Sequence, residues 1–196
     1  MLKRIFDIFF SLFGLLLCIP VFALLSLLIT FESRGGIFYR QIRVGKNGID
    51  FSLLKFRTMF VGSDAKGLLT VGGRDSRITR IGYFLRKYKL DELPQLYNVL
   101  TGEMSLVGPR PEVRKYVDLY SKEQLHVLSV QPGITDYASL EYINENEILG
   151  NSENPEKTYI NEIMPKKLEM NLKYIQEKNL FTDLKIILKT MLKIIR

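Results

Sequence analysis

The sequence predicts an α+β fold, mostly helical, in which an N-terminal membrane-seeking helix broken at Pro20 leads into a domain with a small β-hairpin and interfacial amphipathic helices. Three observations predict it. Residues 8–31 run without a single charged side chain, and Pro20 falls near the middle of that run. Residues 37–44 and 51–58 are short runs rich in aromatic and aliphatic residues, separated by a Gly-Lys-Asn-Gly stretch, the pattern of a β-hairpin. From residue 76 onward, apolar residues recur mainly at the spacing of helices. The chain of 196 residues divides accordingly into residues 1–31, a water-facing part at 32–179 long enough for one hydrophobic core, and a C-terminal segment at 180–196.

The apolar run is longer than the roughly 18 residues that mark a membrane segment and the ~7–15 of a secretory signal. No small-x-small cleavage pattern precedes Glu32, so the segment is expected to be retained. Pro20 has no N–H, and its ring would clash with the carbonyl of Leu16, so a continuous helix must bend there. The resulting arms, about 5–19 and 21–31, are each shorter than the ~20 residues needed to cross a bilayer. Lys3 and Arg4 precede the run; Arg34, Arg40 and Arg43 follow it. Basic flanks on both sides are best satisfied if both ends face the cytoplasm, but a kinked spanning helix fits the residues equally well.

After the hairpin, Gly67, Gly72 and Gly73 mark a loop. A helix is expected over 76–89, with Ile78, Ile81, Phe84, Leu85 and Tyr88 on one side, and a second from about Glu92 to Leu100, ending at Gly102. Helices also fit 112–128 and 155–178, with Pro132-Gly133 between them. In residues 180–196, Lys185, Lys189 and Lys193 recur every fourth position, with Arg196 beyond. Leu184, Ile187, Leu188, Met191, Leu192 and Ile195 cover the other side. This is the pattern of a helix lying in the membrane interface, or of an ordinary amphipathic helix packed on the domain.

The net charge of +7 is unevenly placed. Residues 32–90 carry thirteen basic and four acidic side chains, whereas residues 91–179 are net acidic. A basic segment next to a membrane anchor suits anionic headgroups or a phosphorylated substrate better than nucleic acid. The single cysteine, Cys18, lies in the apolar run, so the chain contains no internal disulfide. The one histidine, His126, falls in an expected amphipathic helix and is assigned no role.

Chemistry concentrates in residues 86–111, RKYKLDELPQLYNVLTGEMSLVGPRP. Asp91 and Glu92 are adjacent carboxylates at an expected helix start. Aspartate is a favoured N-cap, glutamate suits the first turn, and Pro94 is tolerated there, so a purely structural role is available. The alternative is a carboxylate held among cations where a phosphate also binds, acting as covalent nucleophile or metal ligand. Lys55 and Arg57 fall on one side of a strand by alternation. Arg110, between two prolines, would present its guanidinium fork from a stiff loop.

The ordered motifs KRIFD at 3–7, the proline-broken apolar segment, QIRVG at 41–45, KFRTM at 55–59, LDELPQLYNVL at 90–100, GEMSLVGPRP at 102–111 and PGIT at 132–135 resemble the monotopic initiating phosphoglycosyl transferases, in their short form. The resemblance implies an enzyme that transfers a sugar 1-phosphate from a UDP-sugar to polyprenyl (undecaprenyl) phosphate and releases UMP. This is the first membrane step of bacterial polysaccharide or glycoprotein glycan assembly. It implies a phosphosugar intermediate on Asp91, assisted by Glu92, with Mg²⁺ required and held at the dyad. It further implies that Lys55, Arg57, Arg86, Arg110 and Pro111 bind phosphate or nucleotide, and that the segment around Pro20 is re-entrant. The implied setting is the bacterial cytoplasmic membrane, with the catalytic domain facing the cytoplasm, membrane lipids as partners, and downstream glycosyltransferases or a second copy as further ones. A non-catalytic basic adaptor of a glycan-assembly complex is the alternative. The match weakens after PGIT: residues 136–149 read DYASLEYINENEIL, where many relatives carry Gly-Trp and an Asn-Gly-Arg element of the nucleotide-sugar site.

Overall fold

A computed structural model describes residues 1–63, 67, 69–72 and 75–195, so Gly73 and Arg196 of the reading above lie outside the described residues. Helices α1 (Leu2–Leu17) and α2 (Ile19–Glu32) lead into the hairpin β1 (Phe38–Val44) and β2 (Asp50–Phe56). Helix α3 (Arg80–Lys87), a 3-10 turn at Leu90–Glu92, α4 (Gln95–Thr101) and strand β3 (Ser105–Val107) follow. Next come α5 (Arg114–Val117), a 3-10 segment at Gln124–Ser129, β4 (Gly133–Thr135), α6 (Tyr137–Glu141), α7 (Glu145–Gly150) and α8 (Pro155–Thr158). A π turn at Tyr159–Ile163 continues into α9 (Met164–Glu177), and α10 (Leu180–Ile195) closes the chain. The fold is α+β and mostly helical, with a small antiparallel hairpin, as the sequence predicts.

Among the described residues no single helix is long and apolar enough to cross a membrane; α1 and α2 qualify only as a pair, bent by 59°. The break falls at Cys18, one residue before α2 begins. Pro20 sits in the first turn of α2, where a missing N–H costs nothing. The packing of α1 is inverted for a helix in water. Asp7 and Ser11 are buried while Ile5, Phe9, Phe13 and Leu16 are exposed. The buried side is polar because it serves the domain. Lys3 Nζ pairs with Asp183 Oδ2 at 2.5 Å and donates to Val107 O, and Arg4 donates to Val99 O and Leu100 O at the end of α4. Asp7 Oδ1 accepts the Leu106 N–H at 3.1 Å. These bonds give KRIFD a structural reason: three of its five residues hold α1 against α4, β3 and α10.

The hairpin is in the register Tyr39↔Lys55 and turns through Asn47 and Gly48, both at positive φ. Its Phe56 packs with Leu25, Ile29 and Leu85, so the core beneath the hairpin is shared by α2 and α3. Strands β3 and β4 pair in parallel, and this brings Gly108 against Gly133 so closely that a Cβ on Gly133 would lie 2.0 Å from Gly108 N. A separate core of Val113, Tyr116, Val127, Leu149, Tyr159, Ile163, Met164 and Leu168 backs the second half.

Three expected helices are revised. The helix expected over 76–89 starts at Arg80, because the Thr79 hydroxyl accepts the Gly82 N–H and caps it there. The segment 112–128 is two short pieces. The Ser121 N–H donates to Gln124 Oε1 and the Gln124 N–H to Ser121 Oγ, a reciprocal cap that starts a new turn. His126 is exposed on that second piece. The segment expected at 155–178 is helical to Glu177 but widens into the π turn just before Pro165, whose missing N–H interrupts the regular ladder. Helix α10 buries Asp183 and Ile186 and packs Ile187 inward, while Phe181, Leu184, Leu188, Met191 and Leu192 stay exposed.

Candidate active site

The dyad forms where α3 ends. The turn at Leu90–Glu92 is capped by Lys89, and α4 by Pro94, so neither Asp91 nor Glu92 serves as an N-cap. The structural role that the sequence offered for Asp91 is therefore unfilled, because the chain turns into α4 one 3-10 step later than expected. Both carboxylates are buried yet line a cavity of about 480 Å³.

The two neighbours are electrostatically unlike. Glu92 Oε1 accepts Lys55 Nζ at 2.9 Å and also pairs with Arg110 Nη2; Arg110 Nη1 lies 3.4 Å from Oε2. Burial opposes its charge, but the Arg110 and Lys55 cations outweigh burial and hold its carboxyl well below the usual range. Asp91 accepts no hydrogen bond from the described residues. Burial pushes its pKa up, with Lys55 pulling the other way and the Glu92 charge adding to the rise. Burial also lowers the pKa of Lys55 despite Glu92, whereas Glu92 raises that of Arg110.

Lys55 reaches the cavity from β2, and Arg86 from α3, where Nε donates to Thr58 Oγ1 at 2.9 Å and Nη1 to Thr70 Oγ1 at 3.0 Å. Arg110 extends from the loop after β3. The structure thus brings Asp91, Glu92, Lys55, Arg86 and Arg110 to one cavity. Arg57 goes elsewhere. Strand β2 ends at Phe56, and the Arg57 guanidinium donates to the carbonyls of Ser33 and Arg34, just past the end of α2. Pro111 is set back from the cavity wall, and its carbonyl accepts Arg43 Nη1 at 3.0 Å.

Sequence reasoning passed over several residues that matter here. Asp136, fully buried, accepts the Arg110 N–H through one oxygen and caps α6 at the Ser139 N–H through the other. Its signal was present as an aspartate just before a helical run. Thr58 lies inside the KFRTM motif and Thr70 outside every motif, and only the fold brings both to the Arg86 guanidinium. Thr190 and Lys193 of α10 also line the cavity, so part of the face read as interfacial belongs to the site.

The donor set bears on a metal. Among the described residues no group of three or more His, Cys, Asp or Glu is placed to hold a metal ion by itself. Glu92 has both oxygens engaged by cations, which leaves Asp91 as the carboxylate of the dyad with open oxygens. That arrangement fits Mg²⁺, which is commonly held by one or two carboxylates together with substrate phosphates.

The sequence model of the bacterial sugar transferases matches residues 1–196. The chain belongs to the bacterial sugar transferase family. Among its relatives, the sugar transferase EpsL of Bacillus subtilis (strain 168) is 37% identical over 99% of this chain and 87% of its own length. The UDP-N-acetylgalactosamine-undecaprenyl-phosphate N-acetylgalactosaminephosphotransferase of Aeromonas hydrophila is 36% identical over 97% of this chain and 43% of its own. The UDP-glucose:undecaprenyl-phosphate glucose-1-phosphate transferase of Escherichia coli (strain K12) is 37% identical over 98% and 40%. The chain therefore spans less than half of the latter two transferases and most of EpsL.

Proposed function

We propose that this sugar transferase moves a sugar 1-phosphate from a UDP-sugar to polyprenyl phosphate, in two displacements at Asp91. In the first, an Asp91 carboxylate oxygen attacks the β-phosphorus of the UDP-sugar; the bond from that phosphorus to the bridging oxygen breaks, and UMP leaves with the electron pair. In the second, a phosphate oxygen of the acceptor lipid attacks the same phosphorus, the acyl-phosphate bond breaks, and Asp91 is regenerated as polyprenyl diphosphate-sugar departs. The observation that carries this reading is the asymmetry of the dyad. Asp91 presents open oxygens to the cavity, while Glu92 is neutralised by Lys55 and Arg110 and holds those cations where phosphate oxygens arrive. Arg86, fixed by Thr58 and Thr70, supplies a third cation. Mg²⁺ held by Asp91 and the substrate phosphates would screen the repulsion between a carboxylate nucleophile and an anionic diphosphate.

The same proposal seats the protein on the cytoplasmic face of the bacterial inner membrane. The exposed apolar residues of α1 and α2, with Phe181, Leu184, Leu188, Met191 and Leu192 of α10, form apolar faces that in a water-soluble monomer would carry a large hydrophobic cost. A re-entrant α1–α2 pair places both of its ends on one side. Cysteine-accessibility labelling is expected to find residues 2 and 34 both cytoplasmic; residue 2 on the opposite face would overturn the re-entrant reading.

The reaction is tested by incubating the purified protein with a panel of UDP-sugars, polyprenyl phosphate and Mg²⁺. UMP release dependent on one or a few sugars is expected, an N-acetylated one being anticipated, and Asp91→Asn is expected to abolish it. Full turnover by that variant would remove Asp91 from the nucleophile's place.

A further inference from the structure

Lys89, two residues before Asp91, lines the same cavity and has a left-handed backbone, φ 55° and ψ 20°. Among the described residues, Asn47 is the other non-glycine at positive φ, and it occupies a hairpin turn, where a short polar side chain tolerates that region. Lysine has no such compensation, because in this conformation its Cβ crowds the following carbonyl oxygen. The turn itself is needed. The Lys89 N–H donates to Arg86 O and the Glu92 N–H to Lys89 O, which closes α3 and presents the dyad. Glycine or asparagine would make that turn at lower cost. The side chain is what distinguishes lysine from those residues. It is exposed and makes no hydrogen bond or ion pair with the described residues, whereas Lys55 and Arg110 are committed to Glu92 and Arg86 to two threonine hydroxyls. Strained backbone of this sort gathers at functional sites.

We propose that Lys89 is a further substrate-binding residue whose ammonium takes a phosphoryl oxygen of the anion entering beside Asp91. The proposal rests on the phosphosugar-transfer reading above. The diphosphate of a nucleotide sugar and the monophosphate of the acceptor lipid offer the same oxygen chemistry, and the experiment separates them.

The test compares wild-type protein with Lys89→Asn and Lys89→Arg in nanodiscs, measuring Tm and the Kd for UDP and for a short-chain polyprenyl phosphate, with UMP release followed in parallel. For Lys89→Asn, Tm is expected to hold or rise by roughly 2 °C, while binding of one ligand weakens about tenfold; the ligand affected names the source. Lys89→Arg should recover most of that affinity. Unchanged Kd values for both ligands, no wild-type affinity for either, or a Tm loss that accompanies the affinity loss would overturn the proposal. Absence of UMP release by the wild type, with the expected shift in Kd intact, would instead refute the transfer reading.

Discussion

Replacing the two adjacent carboxylates should have opposite consequences for stability. In Glu92→Gln the side chain keeps its shape but loses its charge, and Lys55 and Arg110 lose the carboxylate they share. Removing one partner of a buried ion pair costs about 3–5 kcal/mol. The Arg110 side chain is 31% exposed and the cavity admits water, which reduces the expected cost to about 2 kcal/mol. For a chain of this length each kcal/mol moves Tm by roughly 2–4 °C, so a fall of about 4–8 °C is expected. Asp91→Asn removes a charge that burial disfavours and that no hydrogen bond from the described residues supports. Its Tm should hold or rise by about 2 °C, although its turnover is lost. Thermal unfolding in detergent, with and without UDP, is the assay. UDP should raise the Tm of Glu92→Gln more than that of wild type, because phosphate oxygens replace the missing negative charge. Equal Tm losses in the two variants, or a loss confined to Asp91→Asn, would refute this electrostatic division of the dyad.

Other perturbations separate scaffold from chemistry. Arg57→Ala leaves the carbonyls of Ser33 and Arg34, just past α2, without their donor and should lower stability by about 2 kcal/mol, while the KM for the UDP-sugar stays within twofold. Gly82→Ala places a Cβ 2.1 Å from Thr58 O and should unseat α3, with Arg86 displaced and soluble yield or turnover falling at least tenfold. Asp183→Asn weakens the partner of Lys3, and a loss of about 2 kcal/mol is expected in thermal unfolding; the double variant Lys3→Met/Asp183→Leu should recover part of it, and strictly additive losses would count against the pairing.

The hairpin was legible because alternation has a period of two and the Gly-Lys-Asn-Gly stretch supplies the turn residues. The dyad and its cations were legible as an ordered set of motifs, and the fold gathers Lys55, Arg86 and Arg110 around Asp91 and Glu92. Arg57 leaves the site because the carbonyls of Ser33 and Arg34, distant in sequence, take its guanidinium, and alternation along a strand carries no information about such partners. The segment 112–128 was misread because apolar periodicity hides the reciprocal Ser121–Gln124 cap. The strained backbone of Lys89 and the bond from the Arg110 N–H to Asp136 have no sequence signature, since both depend on how the chain turns around the cavity; only the cap that Asp136 gives α6 is visible in the sequence. The polar face of α1 was visible as Lys3, Arg4 and Asp7, but its purpose depends on partners at residues 99, 100, 106 and 183.

Intact-protein and peptide mass spectrometry of the enzyme mixed with its UDP-sugar and Mg²⁺, in the absence of lipid acceptor, tests Asp91 most directly. An adduct with the mass of the sugar phosphate is expected on the peptide carrying Asp91, absent in Asp91→Asn and discharged when polyprenyl phosphate is added. Turnover with no adduct on rapid quenching, or an adduct on another residue, would contradict it.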